Sequence, residues 1–266
     1  SPQPVLFRTE HNMSEWKSPL RRIIDRFILS RAQRVTAVSE PVADSLTAVS
    51  GCPAEKIRVI ENGLNISRLE KPSDPLRLRK ELDVGPESRL IGTASALTPK
   101  KGHRFLLAAA ERICGQRDDV FFLLMGEGEL REELEAEIKR KKLDSRVRLL
   151  GSRSDATRII SILDVFVLSS VREGLSIALL EAMALGRAVA VTSVGGSVGL
   201  IRNGVSGILV PPSDGAALAD SIELILDDPR LRDKLGREAQ KTVASGFDMK
   251  SVTAAYENLY RDSLGR

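Results

Sequence analysis

The sequence predicts an α/β protein with one complete, doubly wound parallel sheet and, ahead of it, half of a second. Three observations predict this. Short β-branched runs alternate with longer segments of helical periodicity from end to end, the pattern of βαβ units whose parallel sheets are covered by helices. A polar, proline-bearing break at 67–88, "SRLEKPSDPLRLRKELDVGPES", divides the chain. Six strand candidates follow that break and only three precede it.

Taken in order, "VLFRT" (5–9), "RVTAV" (34–38) and "IRVI" (57–60) are the first three strands. Alone they leave a sheet edge open and part of a face uncovered, so the first unit reads as if it begins in its middle. After the break come "LIGTAS" (90–95), "VFFLLM" (120–125), "VRLL" (147–150), "VFVL" (165–168), "AVAVT" (188–192) and "GILV" (207–210). Segments such as "HRFLLAAAERI" and "LREELEAEIKRK" supply the helices between them. The expected division is a partial unit at 1–84, a complete one at 85–245, and a last helix at 246–266. In that helix Val252, Ala255, Tyr256, Leu259 and Tyr260 form one stripe, which either completes the second unit or reaches back to the first.

Composition narrows the function classes. No apolar run approaches the roughly 18–20 residues of a membrane span, and no basic start with an apolar core marks a signal peptide. Cys52 and Cys114 match no metal spacing, and with two histidines in the chain a structural zinc site is not expected. The plain expectation is a reducing, cytoplasmic compartment, including the inner face of a membrane. The net charge of +4 is concentrated at 15–34, where Lys17, Arg21, Arg22, Arg26, Arg31 and Arg34 face only Glu15 and Asp25. The first expectation there is a helix whose stripe of Trp16, Ile23, Ile24, Phe27 and Ile28 packs on a sheet; the competing one is a helix lying on an anionic membrane. No nucleic-acid motif accompanies the charge, and aromatics, at 4%, are too scarce for a base-stacking platform.

In open α/β sheets ligands sit outside the carboxyl ends of the strands, so those loops carry the chemistry. After "LIGTAS", "ALTPKKGH" sets two lysines and a glycine before a helix, the setting of a phosphate site. After "VFFLLM", "GEGEL" allows close backbone approach or simply a tight turn. After "VFVL", "SSVREGLSIALLE" places Glu173 at the mouth of a helix expected to start near Leu175. The amides of Gly174, Leu175 and Ser176 and the Ser176 hydroxyl lie at that start. Glu181 follows about two turns, or roughly 9 Å, along the axis, too far to form one acid–base dyad with Glu173. Its apolar setting, "ALLEAMALG", calls for a partner, of which a ribose diol is one. A second glycine pair, "SVGGSVG", follows the next strand.

In this order, "PKKG", "GEGEL", "REGLSIALLEAMALGRAVAVTSVGG" and "NGVSGILVPPSD" resemble the nucleotide-sugar domain of family 4 retaining glycosyltransferases, of GT-B architecture with two facing Rossmann-like domains. "RTEHN", "RVTAVSE" and "KIRVIENGLN" are similar to the later strands of that family's acceptor-side domain. The resemblance implies that Lys101 neutralises the donor diphosphate, that Glu173 with the Gly174, Leu175 and Ser176 amides meets the transferred sugar, and that Glu181 holds the ribose. It implies Gly126 and Gly128 along the nucleotide, Arg153 beside the base, and His11 facing the sugar across the cleft. It implies a nucleotide-diphosphate sugar as donor, no metal or other cofactor, and a glycan or lipid-linked hydroxyl as acceptor. The leaving phosphate helps to deprotonate that hydroxyl, so no enzymic nucleophile is required.

The chain departs from the family in three places. "SAL" stands for Gly-Arg-Leu, so Ala96 replaces a cation; Val198-Gly199 stands for Pro-Glu; and the stretch that precedes "RTEHN" in the family is not in this sequence. The alternatives are therefore a non-catalytic nucleotide-sugar-binding protein or a split subunit, completed by a partner chain or by a homodimer across the open sheet. A nucleotide-sugar epimerase is the competing enzyme, but no acid–base set for it stands out.

Overall fold

The computed structural model describes residues 5–11 and 18–264. Its first unit is β1 (Phe7–Glu10), α1 (Pro19–Arg31), β2 (Arg34–Ala37), α2 (Glu40–Ser50) and β3 (Ile57–Val59), with the strands parallel in the order β1-β2-β3. Val35, Ala37, Val42 and Leu46 form its buried seam.

The α1 helix corrects the first expectation for its stripe. Leu20, Ile23, Ile24, Phe27 and Ile28 are exposed, whereas Asp25 and Leu29 are buried; Trp16 and Lys17 lie outside the described residues. The reason is on β1. The Arg8 guanidinium reaches towards the helix and needs counter-charge, which it takes from Asp25 at 2.7 Å and Glu10 at 3.0 Å. A half-buried cation is costly unless paired, so the helix turns its carboxylate inward and leaves its apolar stripe outside.

The break near 67–88 is more ordered than a bare linker. It carries a short helix, α3 (Pro75–Glu81), capped by Asp74, whose carboxylate accepts the Arg77 N–H at 3.0 Å.

The second unit follows as β4 (Arg89–Ala94), α4 (His103–Cys114), β5 (Val120–Met125), α5 (Arg131–Arg140), β6 (Val147–Gly151), α6 (Ala156–Ile160), β7 (Val165–Leu168), α7 (Ile177–Ala184), β8 (Ala188–Thr192), α8 (Ser197–Leu200), β9 (Ile208–Val210) and α9 (Gly215–Asp227). All six strands are parallel, in the order β6-β5-β4-β7-β8-β9. Alternate residues of each strand feed different faces. Phe122 and Leu124 join Leu106, Leu134 and Leu218 of α4, α5 and α9, while Leu123 and Met125 join Ile159 and Leu179 of α6 and α7. Burial on both faces explains why these strands read as unbroken apolar runs. The second of these clusters continues into Val35 and Leu46, so the two units share one core face.

α10 (Pro229–Gly246) covers that face with Ala239 and Val243, and α11 (Met249–Leu264) then runs back against the first unit. Leu64 exchanges backbone hydrogen bonds with Phe247 at 2.8 Å and Met249 at 3.1 Å, and the rings of Phe7 and Tyr260 meet edge to face at 4.7 Å.

Strand order positions the site. The chain leaves β4 outward to β5 and β6, then returns to lay β7 on the other side of β4. Loops after β4 and β7 therefore depart in opposite directions and open a crevice at the carboxyl end of the sheet.

Candidate donor site at the strand-order switch

The two diverging loops are tied together at their roots. The Lys100 carbonyl accepts the Val171 N–H at 2.8 Å and the Arg172 N–H at 3.2 Å, and the Ser169 hydroxyl donates to the Lys101 carbonyl at 3.0 Å. Gly102, at φ 64°, makes this possible: a Cβ there would lie 2.2 Å from the Ser169 carbonyl oxygen. Above this seam the Lys101 ammonium and the Glu173 carboxylate meet at 2.5 Å, each side chain 12% exposed. The Ser170 hydroxyl donates to the same carboxylate oxygen at 3.1 Å.

The β8 loop closes the third side. Gly195 lies against the Glu173 carbonyl, and the Gly196 N–H donates to the Gly174 carbonyl at 2.5 Å. The Thr192 hydroxyl donates to Ser170 O at 2.6 Å. The first unit touches the site here too. The His11 carbonyl oxygen would be 2.0 Å from a Cβ at Gly174, and the Asn62 amide donates to Leu175 O at 3.1 Å. Lys101, Glu173, Gly174 and His11, from three loops and two sheets, are thus brought together. The His11 side chain is exposed.

α7 begins at Ile177, two residues later than the sequence pattern placed it. Ser176 is its N-cap: the hydroxyl oxygen accepts the Leu179 N–H at 3.3 Å, and the residue is 8% exposed, as Leu175 is 6%. The Ser176 oxygen thus serves the helix end as an acceptor, while its hydroxyl proton has no acceptor among the described residues. One turn further, Glu181 is half-buried among fully buried neighbours and has no hydrogen-bond or ion-pair partner among the described residues. Burial pushes its carboxyl pKa up.

The other expected residues form an outer arc. Gly126 and Gly128 let the β5 loop press on the β4 loop; a Cβ at either would lie 2.0 Å from Ser95 O or 2.4 Å from Leu97 O. Their immediate neighbour is backbone. Arg153, after β6, is held by both oxygens of Asp155 at 2.8 and 2.9 Å. Ala96 is exposed beside them. Sequence reasoning missed Ser170, Asn62, Ser95 and His103; the first sits inside the "SSVREG" motif, and the rest carry no local signal. Among the described residues no group of three or more His, Cys, Asp and Glu is placed to hold a metal.

Two family models match the chain: "Glycosyl transferases group 1" over residues 76–242 and "Glycosyltransferase Family 4" over 2–68. The chain belongs to the group 1 glycosyl transferases. The group 1 match contains every site residue except His11 and Asn62, which fall within the family 4 match. Among curated relatives of this glycosyl transferase chain, the alpha-D-kanosaminyltransferase of Streptomyces kanamyceticus is 28% identical over 92% of the chain and 64% of its own length. A lipopolysaccharide core biosynthesis glycosyltransferase of Rhizobium meliloti is 30% identical over 77% of the chain and 57% of its own length. The chain thus spans less than two thirds of these relatives. Among solved structures, Anabaena HepE in complex with UDP and glucose superposes with a TM-score of 0.91 at 26% identity, covering 97% of this chain and 72% of HepE. The fold is that of GT-B glycosyltransferases, with a six-stranded and a three-stranded parallel sheet.

Proposed function

We propose that this chain is the donor-binding part of a retaining glycosyltransferase that moves a sugar from a nucleotide diphosphate to a hydroxyl of a glycan or lipid-linked acceptor without a divalent metal. The observation that carries the reading is the Lys101–Glu173 pair at the strand-order switch, with the Glu181 carboxylate, unpartnered among the described residues, farther along the helix that follows. In the free protein the two charges satisfy each other. An arriving diphosphate competes for the ammonium and releases Glu173 to accept hydrogen bonds from sugar hydroxyls. Lys101 then neutralises charge that grows on the leaving phosphate, the usual place for the largest electrostatic contribution. Glu181 recovers its burial cost by accepting from the ribose diol. Gly174 and Leu175 line the sugar, Gly126 and Gly128 the nucleotide, Arg153 the base, and His11 the far wall. The acceptor hydroxyl gives its proton to the departing phosphate on the same face, which retains configuration. The relatives' coverage and the HepE complex with UDP support this reading.

The exposed side of α1 fits a lipid-linked acceptor. Its exposed residues are Leu20, Ile23, Ile24, Arg26, Phe27, Ile28, Ser30 and Arg31, apolar or basic apart from the serine and with no carboxylate, which suits an anionic leaflet at the cytoplasmic face. A second reading, a split or non-catalytic subunit, is favoured by one observation: β1 pairs only with β2, so its other edge is open to a partner strand among the described residues.

The test is calorimetric titration with UDP, GDP, ADP and their sugars in the presence of EDTA. One nucleotide binds, Lys101→Ala weakens it and Glu181→Ala abolishes it. A folded sample that binds none of them refutes the donor-site reading.

A further inference from the structure

The loop after β4 holds a histidine that the donor reading leaves unused. His103 opens α4 and is 1% exposed; its Nε2 lies 3.1 Å from Ser95 Oγ, and its Nδ1 is buried with no partner among the described residues. Burial beside the Lys101 charge lowers its pKa to about 4, so the ring is neutral and only one nitrogen carries a proton. A proton on Nδ1 would bury an N–H donor without an acceptor, the omission folded proteins avoid most strictly. It would also set a polar hydrogen at the positive end of a 12-residue helix. A proton on Nε2 leaves only a lone pair unmatched and directs the N–H to Ser95 Oγ.

The consequence falls on Ser95. Its oxygen accepts from His103, so its own proton has no acceptor among the described residues and is free to donate. The backbone fixes where the serine stands. The Ser95 N–H is bound to Met125 O at 2.9 Å, and Gly126 presses on the Ser95 carbonyl. The partly exposed side chain thus stands directly after the carboxyl end of β4, at the strand-order switch and in the same loop as Lys101. A hydroxyl donor beside a helix start, in the loop that also carries a lysine ammonium, is matched by an anion with several oxygens.

We propose that Ser95 is a further ligand-binding residue of this site, donating to the diphosphate of the nucleotide, and that His103 is the positioning residue that turns the serine proton outward. This rests on the donor reading above, and the experiment separates the two. Wild type, Ser95→Ala, His103→Leu and His103→Gln are titrated with UDP, GDP, ADP and inorganic pyrophosphate, and the His103 tautomer is read by ¹⁵N NMR in the free protein. Ser95→Ala and His103→Leu each bind diphosphate about tenfold more weakly, the low end for a hydrogen bond to a charged group. His103→Gln, whose amide N–H replaces the Nε2–H, recovers most of the affinity, and the NMR spectrum reports Nε2–H. A merely structural histidine would lower the melting temperature of both His103 variants and leave Ser95→Ala at wild-type affinity. That affinity, or an Nδ1–H tautomer, overturns the proposal and leaves the donor reading standing. Wild type binding neither nucleotide nor pyrophosphate overturns both.

Discussion

Replacing Glu181 with glutamine removes one charge from α7 and keeps its shape, and the result is a protein that is more stable and less able to bind. The carboxylate is half-buried between Leu180 and Ala182, both fully buried, with no partner among the described residues. Its folded pKa is raised by burial alone, so ionisation is disfavoured in the fold relative to the unfolded chain. The penalty is absent at pH below the ordinary glutamate range and is present in full once pH has risen through the folded value. An incompletely hydrated, unpaired polar group costs about 1 kcal/mol, the low end of the range for buried ones. In a chain of this size that is about 2–4 °C in Tm. Differential scanning fluorimetry at pH 7.5 and pH 4, with and without UDP, reads all of this. Glu181→Gln melts about 3 °C above wild type at pH 7.5, the gap closes at pH 4, and UDP stabilises the variant far less than wild type. A variant that melts below wild type at pH 7.5 would mean that the carboxylate already has a stabilising partner. One that responds to UDP like wild type would remove Glu181 from the ribose.

Three further outcomes follow from the geometry. Gly102→Ala places a Cβ 2.2 Å from Ser169 O at a φ of 64°; denaturant unfolding shows a loss of about 3 kcal/mol, and unchanged stability would contradict the seam between the loops. His103 has a folded pKa of about 4 against an ordinary 6.5, so below pH 6.5 the unfolded chain takes up a proton that the fold resists. Wild type loses stability relative to His103→Gln between pH 6.5 and 4, by about 3 kcal/mol in full, and parallel pH profiles would show that the histidine is not buried neutral. Vesicles containing phosphatidylglycerol pull down wild type in a flotation assay, whereas phosphatidylcholine vesicles and the Ile24→Asp/Phe27→Asp double variant do not bind; equal recovery with both lipids removes the electrostatic part of that reading.

The strands were legible because central parallel strands are buried on both faces and must be apolar throughout, as "VFFLLM" and "VFVL" are. The Lys101 and Glu173 loops were legible because their types and places after β4 and β7 are local facts. What was not legible depended on partners distant in sequence. The orientation of α1 is set by Arg8, on another element, so periodicity identified the stripe without saying which way it faces. The Ser95–His103 pair becomes visible only when β4 and the start of α4 are placed in space. α3 had a readable signal in "SDP", a cap followed by a first-turn proline, which the polar texture of the break obscured. The glycine pair at 126 and 128 was read as close backbone approach or a tight turn, and the pair at 195 and 196 was given no role; the closest neighbours of both are the carbonyls of adjacent loops, so they set the site's shape first.

The measurement that tests the account most directly is hydrogen–deuterium exchange of this chain with and without saturating UDP, GDP and ADP. The account predicts that one nucleotide protects residues 95–104 and 170–182 together, because both loops at the strand-order switch close on one ligand. Protection confined to the open cavity of about 720 Å³ between Asn65, Met249 and Glu257, or to the amino ends of β7 and β8, would place the ligand elsewhere and contradict it.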